Sequence, residues 1–191
     1  MENEKQLTEQ ESLQIIHEMI AAAKNNIKAD SFIFLLWGWL VFIASTAQYI
    51  LIQLNIENSQ IVWWLMSIGG IITPLYSAMK RKKDKTRTHV SEFIKFVWIA
   101  FTAALLIIIF FNTMPYLQVL PIIMALYGIG LFLSGGALKF KPLIIGGIFC
   151  WGCSIAGFYV QNVYQLLIVA TAVLGGYIIP GYLLKFNNKN V

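Results

Sequence analysis

Charge is scarce in this sequence. Only 12% of its 191 residues are Asp, Glu, Lys or Arg, where soluble domains carry about a quarter. The few charges are also segregated. From Ser31 to Met79 the only formal charge is Glu57, and from Phe96 to Leu138 and from Pro142 to Leu184 there is none. Ion-coupled pumps, carriers of charged substrates and voltage sensors depend on ionisable groups inside the membrane. Apart from Lys95, whose long stem lets its ammonium reach the inner face, and Lys185 at the very end of the sixth, the apolar spans offer no Asp, Glu, Lys, Arg or His. That argues against ion-coupled transport and leaves passage of a neutral or apolar molecule open.

Other absences narrow the chemistry further. The only cysteines are Cys150 and Cys153, too few for a disulfide framework. His17 and His89 are the only histidines. His89 and Glu92 stand one helical turn apart, but two ligands in a basic loop make no metal site, so no metal is expected. No H-E-x-x-H, G-x-S-x-G or P-loop occurs, and nothing in the apolar stretches resembles the Asp, Ser–His or metal cluster of an intramembrane protease. No cofactor is expected. The first 30 residues are polar and Glu-rich. They lack the basic segment and apolar core of a cleavable leader, so the first apolar stretch is expected to act as its own insertion signal.

What the chain has in abundance is apolar length: 58% of residues are hydrophobic and 14% aromatic. A helix needs about 20 apolar residues to cross the hydrocarbon core. The sequence predicts an all-α, polytopic membrane protein with spans at Ser31–Ile52, Ile61–Met79, Phe93–Phe111, Tyr116–Leu138, Pro142–Val160 and Tyr164–Phe186. Three parts follow: a helix-bearing segment 1–30, a six-helix domain 31–186 and a tail 187–191.

All 14 cations lie on one side of this arrangement: in residues 1–30, near Lys80–Glu92, in Lys139–Lys141 and from Lys185 onward. The connections Gln53–Gln60, Asn112–Pro115 and Gln161–Val163 hold none. Lys and Arg in short loops mark the cytoplasmic side, so both termini are expected there. A missed or extra span would scatter cations onto both sides. The run Lys80-Arg81-Lys82-Lys83 directly follows a span, where it anchors topology and attracts anionic inner-leaflet lipids. The net charge of +5 is thereby explained without nucleic acid as a partner.

Residues 1–30 have their own pattern. Thr8 and Glu11 fit a capping box that starts a helix near Glu9. Leu13, Ile16, Ile20, Ala23 and Ile27 then recur at spacings of three and four, the signature of one apolar face. That face would lie in the membrane interface, pack on the bundle, or dock a partner.

Two features suggest internal order. Gly69-Gly70-Ile71-Ile72-Thr73-Pro74-Leu75-Tyr76 of the second span matches Gly175-Gly176-Tyr177-Ile178-Ile179-Pro180-Gly181-Tyr182 of the sixth, with Gly-Gly, Pro and Tyr in register. The first and third spans offer a looser match, which fits three parallel two-helix units, although the third unit's markers are poor and apolar segments also resemble each other by chance. Glycine lets backbones approach closely, and proline frees a carbonyl that lipid cannot satisfy. Matched helix breaks of this kind point to binding sites in transporters. Gly and Pro are also common in membrane helices at large, and that reading stays open; on the functional one Gly69, Gly70, Pro74, Tyr76, Gly175, Gly176, Pro180 and Tyr182 are the ligand-site candidates, kinking both spans around a shared space.

Cys150-Trp151-Gly152-Cys153 is the second feature. A C-x-x-C lets one thiolate attack a disulfide and the other resolve it. Mid-span thiols are inert, however, and small residues at this spacing also serve helix packing. The sequence leaves both readings open. Trp151 lies deep, unlike Trp37, Trp39, Trp63, Trp64 and Trp98 near the span ends, and its N–H needs a partner. Gln48, Ser67, Thr102, Ser134 and Thr171 are the side chains that offer one.

Glu11-Ser12-Leu13, Ile16, Met19-Ile20 and Ala23-Lys24, followed by Leu36-Trp37-Gly38-Trp39, resemble the opening of a family of small bacterial membrane proteins of uncharacterised activity. In that family an amphipathic segment leads into a first span carrying L-W-G-W. The resemblance covers roughly residues 11–50. It implies a bacterial inner membrane and a cytoplasmic N-terminal helix, and no catalytic residue or ligand.

Three functions follow. The first is a non-enzymatic module that binds or regulates a protein partner through residues 1–30 and 80–92. The second is a small permease or receptor for a neutral or apolar ligand. The third is a thiol redox protein using Cys150 and Cys153. A homo-oligomer is compatible with each.

Overall fold

The computed structural model describes residues 9–83, 89–111, 116–160 and 163–187. Among the described residues every regular element is helical and no strand occurs. The helices are α1 (Glu9–Gln53), a short 3-10 helix (Ser59–Trp64), α2 (Leu65–Lys83), α3 (His89–Phe111), α4 (Tyr116–Ala137), α5 (Lys141–Tyr159), α6 (Tyr164–Val173) and α7 (Ile179–Asn187). A π-helical turn, Leu174–Ile178, joins α6 to α7. Helices are imposed by the solvent: in hydrocarbon every backbone N–H and C=O must be satisfied within the segment.

Six helical stretches of 19–23 residues are long and apolar enough to cross a membrane: Ser31–Gln53, Ser59–Met79, Val90–Phe111, Gln118–Ala137, Lys141–Tyr159 and Tyr164–Phe186. At 1.5 Å per residue these lengths give roughly 30 Å, the thickness of the hydrocarbon core. Their bounds lie within a few residues of those expected, because the same apolar runs set both, although α1 itself extends back to Glu9 and α2 on to Lys83.

Two ends are built alike. Past α1, the Ile56 N–H bonds to the Leu51 carbonyl and the Asn55 N–H to that of Ile52, each at 3.0 Å, with Asn55 at φ 53°. Past α4, the Phe140 N–H bonds to Gly135 at 2.9 Å and the Lys139 N–H to Gly136 at 3.2 Å, with Lys139 at φ 52°. Both are Schellman closures, which satisfy the orphan carbonyls of a helix end through one left-handed residue.

Burial separates a centre from a periphery. The fourth and sixth spans have 50% and 56% of their apolar windows buried, whereas the second and third have 6% each. α4 and α5 form the most extensive contact, and α1 lies against α6 and α7. α2 packs on α1, and α3 on α4. The members of each two-helix unit expected from sequence do touch, α2 on α1, α3 on α4 and α5 on span six, but the most extensive packing is not within a unit. The tightest pair, α4 with α5, joins what sequence assigned to different units, and spans two and three are outriggers on opposite partners.

A second expectation changes at the N-terminus. The segment before Ser31 and the first span form one helix, α1, with no break near residue 30. The described part of α1 begins at Glu9, and Thr8, the cap residue of the expected capping box, lies outside the described residues. The apolar face Leu13, Ile16, Ile20, Ala23 and Ile27 falls on side chains outside the described ones, as does the tail from residue 188.

Span two is fastened to span one by two indole N–H groups. Trp37 donates to the Thr73 hydroxyl at 3.0 Å, and Trp63 donates to the Gln48 amide oxygen at 2.6 Å. Gln48 is buried at 1% exposure, so this bond is made where water does not compete. Interhelical bonds in membranes average about 0.6 kcal/mol and reach about 1.7. Gln48→Leu and Trp63→Phe are each expected to cost about 1 kcal/mol. The double variant should cost no more than the worse single, as read from unfolding in detergent micelles. Fully additive losses would show that the two side chains act separately.

Candidate functional site

The centre of the bundle is a seam of small residues. α5 presents Gly146, Gly147, Cys150, Ser154 and Gly157, all buried. Gly147 faces α4: a Cβ there would lie 2.8 Å from the Gly128 carbonyl oxygen and 2.9 Å from the Phe132 nitrogen. Its neighbour Gly146 faces span six, where a Cβ would lie 2.6 Å from the Gly176 carbonyl oxygen. One Gly-Gly pair therefore brings backbone against backbone on two sides at once. Farther along, the Ser154 hydroxyl donates to the Pro121 carbonyl at 2.7 Å, the carbonyl of a residue whose own ring packs near Gly157. Gln165 closes the end of α5 by donating to the Gly157 and Val160 carbonyls, both at 2.9 Å.

Span six breaks its helical repeat at this seam. The π turn Leu174–Ile178 contains Gly175 and Gly176, and the Ile179 N–H reaches back to the Leu174 carbonyl. Pro180 follows and is buried. Its missing N–H and its ring disfavour regular α-helix across this turn, and π turns are rare and often functional. Gly175 lies against the Phe149 ring, and a Cβ on Gly176 would meet Cys150 Sγ at 2.5 Å. The turn places Tyr177 in the core at 2% exposure. Its ring is surrounded by Phe34 (5.8 Å between centroids), Trp98 (6.0 Å) and Tyr127 (5.4 Å), which come from α1, α3 and α4.

The matching residues of span two behave differently. α2 runs through Pro74 as an α-helix, and Pro74 is exposed. Gly69 is buried against Leu40 and the Trp37 ring, but Gly70 has nothing within 4 Å of where a Cβ would sit. Tyr76 lies on the Phe32 ring at 4.7 Å, while Tyr182 stacks on Phe186 at 6.4 Å. Among the described residues α2 packs mainly on α1, and α7 on α1, α5 and the π turn, with no extensive contact between α2 and α7, so the two sets do not pack directly on each other. The matched pattern in sequence corresponds to one interrupted helix, span six, and one continuous peripheral helix.

Cys150 and Cys153 are free thiols. Cys150 is buried at 1% exposure and donates to the Ala172 carbonyl at 3.5 Å, so it belongs to the packing seam. Cys153 is half-buried and lines an apolar groove of about 320 Å³ between α5 and α6, with Phe149, Gly152, Ala156, Ile168 and Thr171. Trp151 lies on Gly128 and donates to the backbone carbonyl of Ala125 at 3.1 Å. None of the side chains considered from sequence is its partner. Close glycine packing exposes a carbonyl that sequence cannot display. Among the described residues no three His, Cys, Asp or Glu side chains cluster as a metal would need.

The Gly146–Gly147 pair and the Tyr177 cluster were not singled out in the sequence. The available signal was the recurrence of small residues at 146, 150, 154 and 157, the spacing of close-packed membrane helices. Comparison of the chain with protein-family models, with curated proteins and with solved structures finds no match.

Proposed function

We propose that this protein is a non-enzymatic membrane module that binds or regulates a protein partner through its N-terminal segment and the basic connection after span two. The observation that carries this reading is the continuity of α1 from Glu9 to Gln53. A partner held on the apolar face Leu13, Ile16, Ile20, Ala23 and Ile27 would be coupled rigidly to the first span. That span touches the centre through Phe34 on Tyr177 and through Gly38 against Tyr177 and Ile178. The location that goes with it is a bacterial cytoplasmic membrane with both termini inside, supported by the 14 cations on one side and by the resemblance of residues 11–50. Anionic lipid at the inner face is the second expected partner, and a homo-oligomer is compatible.

A second reading, a permease or receptor for a neutral or apolar ligand, is supported by the π turn in span six and the groove beside it. The redox reading has less support. Cys150 is enclosed at 1% exposure, and Cys153 lines an apolar groove rather than a polar cleft.

Capture from native membranes separates these readings. Ile16→Asp with Ile20→Asp is expected to abolish recovery of a defined protein partner and to expose residues 1–30 to protease, while Gln14→Ala with Asn25→Ala retains both properties. Equal recovery with either pair would remove the module reading.

A further inference from the structure

Two hydroxyls at the centre of the bundle have no partner. Tyr177 is 2% exposed and Ser134 is fully buried, and among the described residues neither the Tyr177 hydroxyl nor Ser134 Oγ makes a hydrogen bond. Buried polar groups are otherwise almost always paired; among the described residues the one further unpaired buried side-chain atom is Gln165 Oε1, near the end of α5. Ser45 donates to Phe42, Ser154 to Pro121 and Gln48 accepts from Trp63.

A chain of neighbours runs from the Tyr177 ring towards Ser134. Trp98 rests its ring on Gly130, with a Cβ there meeting the indole at 3.4 Å, and packs against Tyr177 at 6.0 Å. Ser134 stands one helical turn beyond Gly130 in α4, on the same face. Tyr127, one turn before Leu131 in α4, meets the Tyr177 ring at 5.4 Å.

The π turn explains why Tyr177 stays there. Pro180 disfavours conversion to a regular helix, and Gly176 is locked against Gly146 and Cys150. The spans around it carry charge only toward their ends, at Glu92 and Lys95, Lys141 and Lys185, so a charged occupant at the centre would have no adjacent counter-ion and would be too costly to desolvate.

We propose that the Tyr177 hydroxyl, held inside the bundle by the π turn and flanked by Phe34, Trp98 and Tyr127, forms with Ser134 an internal site for small uncharged hydrogen-bonding molecules of the size of water. A water satisfying such groups makes two to four hydrogen bonds and is costly to remove. This site stands apart from the N-terminal segment and does not depend on the partner-binding reading.

Water is the probe. In the wild-type protein in liposomes, solid-state NMR magnetisation transfer from water to Tyr177 is expected to build up well before transfer to Phe34 or Leu131. Assignment rests on the signal lost in Tyr177→Phe. The variant is expected to melt about 3–6 °C lower than wild type, because a satisfied bond is lost, and Ser134→Ala to fall in the same direction. If Tyr177 receives no magnetisation from water, the site does not exist. An unchanged or higher Tm in Tyr177→Phe would overturn it equally, since deleting a hydroxyl that has no partner relieves a cost. If the variant cannot be purified, the wild-type transfer decides alone, with residue-type labelling of tyrosine.

Discussion

Valine at Gly146 or Gly147 is expected to abolish recovery of folded protein, while alanine at Gly70 or Gly152 is tolerated. The four positions are all glycines within helices, and helix propensity treats them alike: alanine should gain roughly 0.8–1.0 kcal/mol at each. The surroundings decide the sign. At Gly146 and Gly147 a Cβ would lie 2.6 and 2.8 Å from carbonyl oxygens of neighbouring helices, and backbone cannot swing aside as a side chain can. Even alanine must push α5 away from α4 or span six. Overpacking of this kind costs about 1–3 kcal/mol and can cost more, and a displaced α5 also loosens the rest of the seam.

At Gly70 and Gly152 nothing lies within 4 Å, so the propensity term acts alone and stability should rise slightly. In thermal unfolding followed by size exclusion, about 1 kcal/mol corresponds to roughly 2–4 °C in a chain of this size. Gly146→Ala and Gly147→Ala should therefore melt several degrees lower, with the valine variants largely aggregated. If Gly147→Ala melts at or above the wild-type temperature, α5 does not pack against α4 as described.

What could be read from the sequence follows from the bilayer. Span number and span bounds were legible because charge is excluded from hydrocarbon and turn residues part the uncharged runs: Glu57, Lys80, Lys139 and Lys185 lie near boundaries that sequence and structure share, and Asn112–Pro115 and Gln161–Val163 divide the two charge-free pairs of spans. Helix neighbours were not legible. Lipid is as apolar as a protein interior, so no hydrophobic periodicity distinguishes the buried face of α4 from the exposed face of α3. Phe110 at 75% exposure and Leu131 at 0% are equally apolar. The match between Gly69–Tyr76 and Gly175–Tyr182 identified the interrupted sixth span but suggested an equivalent break in the second. There Pro74 is accommodated within an exposed helix, one residue after Thr73 takes the Trp37 N–H. Cys150 illustrates the same limit. Its spacing from Cys153 suggested chemistry, while its contact with Gly176 and Ala172 makes it part of the seam.

Orientation is the most direct test, because the partner-binding face and the basic connection must share the cytoplasm. In a background carrying Cys150→Ala and Cys153→Ala, single cysteines are placed at Asn58 and at Lys83 and treated in intact cells with a membrane-impermeant maleimide. Asn58 precedes the 3-10 helix on the side without cations, and Lys83 ends α2 on the side that holds all 14. A cation-rich loop resists translocation, so the expected result is all-or-none: the Asn58→Cys variant reacts from outside, and the Lys83→Cys variant reacts only after the membrane is permeabilised. Labelling of Lys83→Cys in intact cells, with Asn58→Cys protected, would contradict the orientation and with it the proposed cytoplasmic partner.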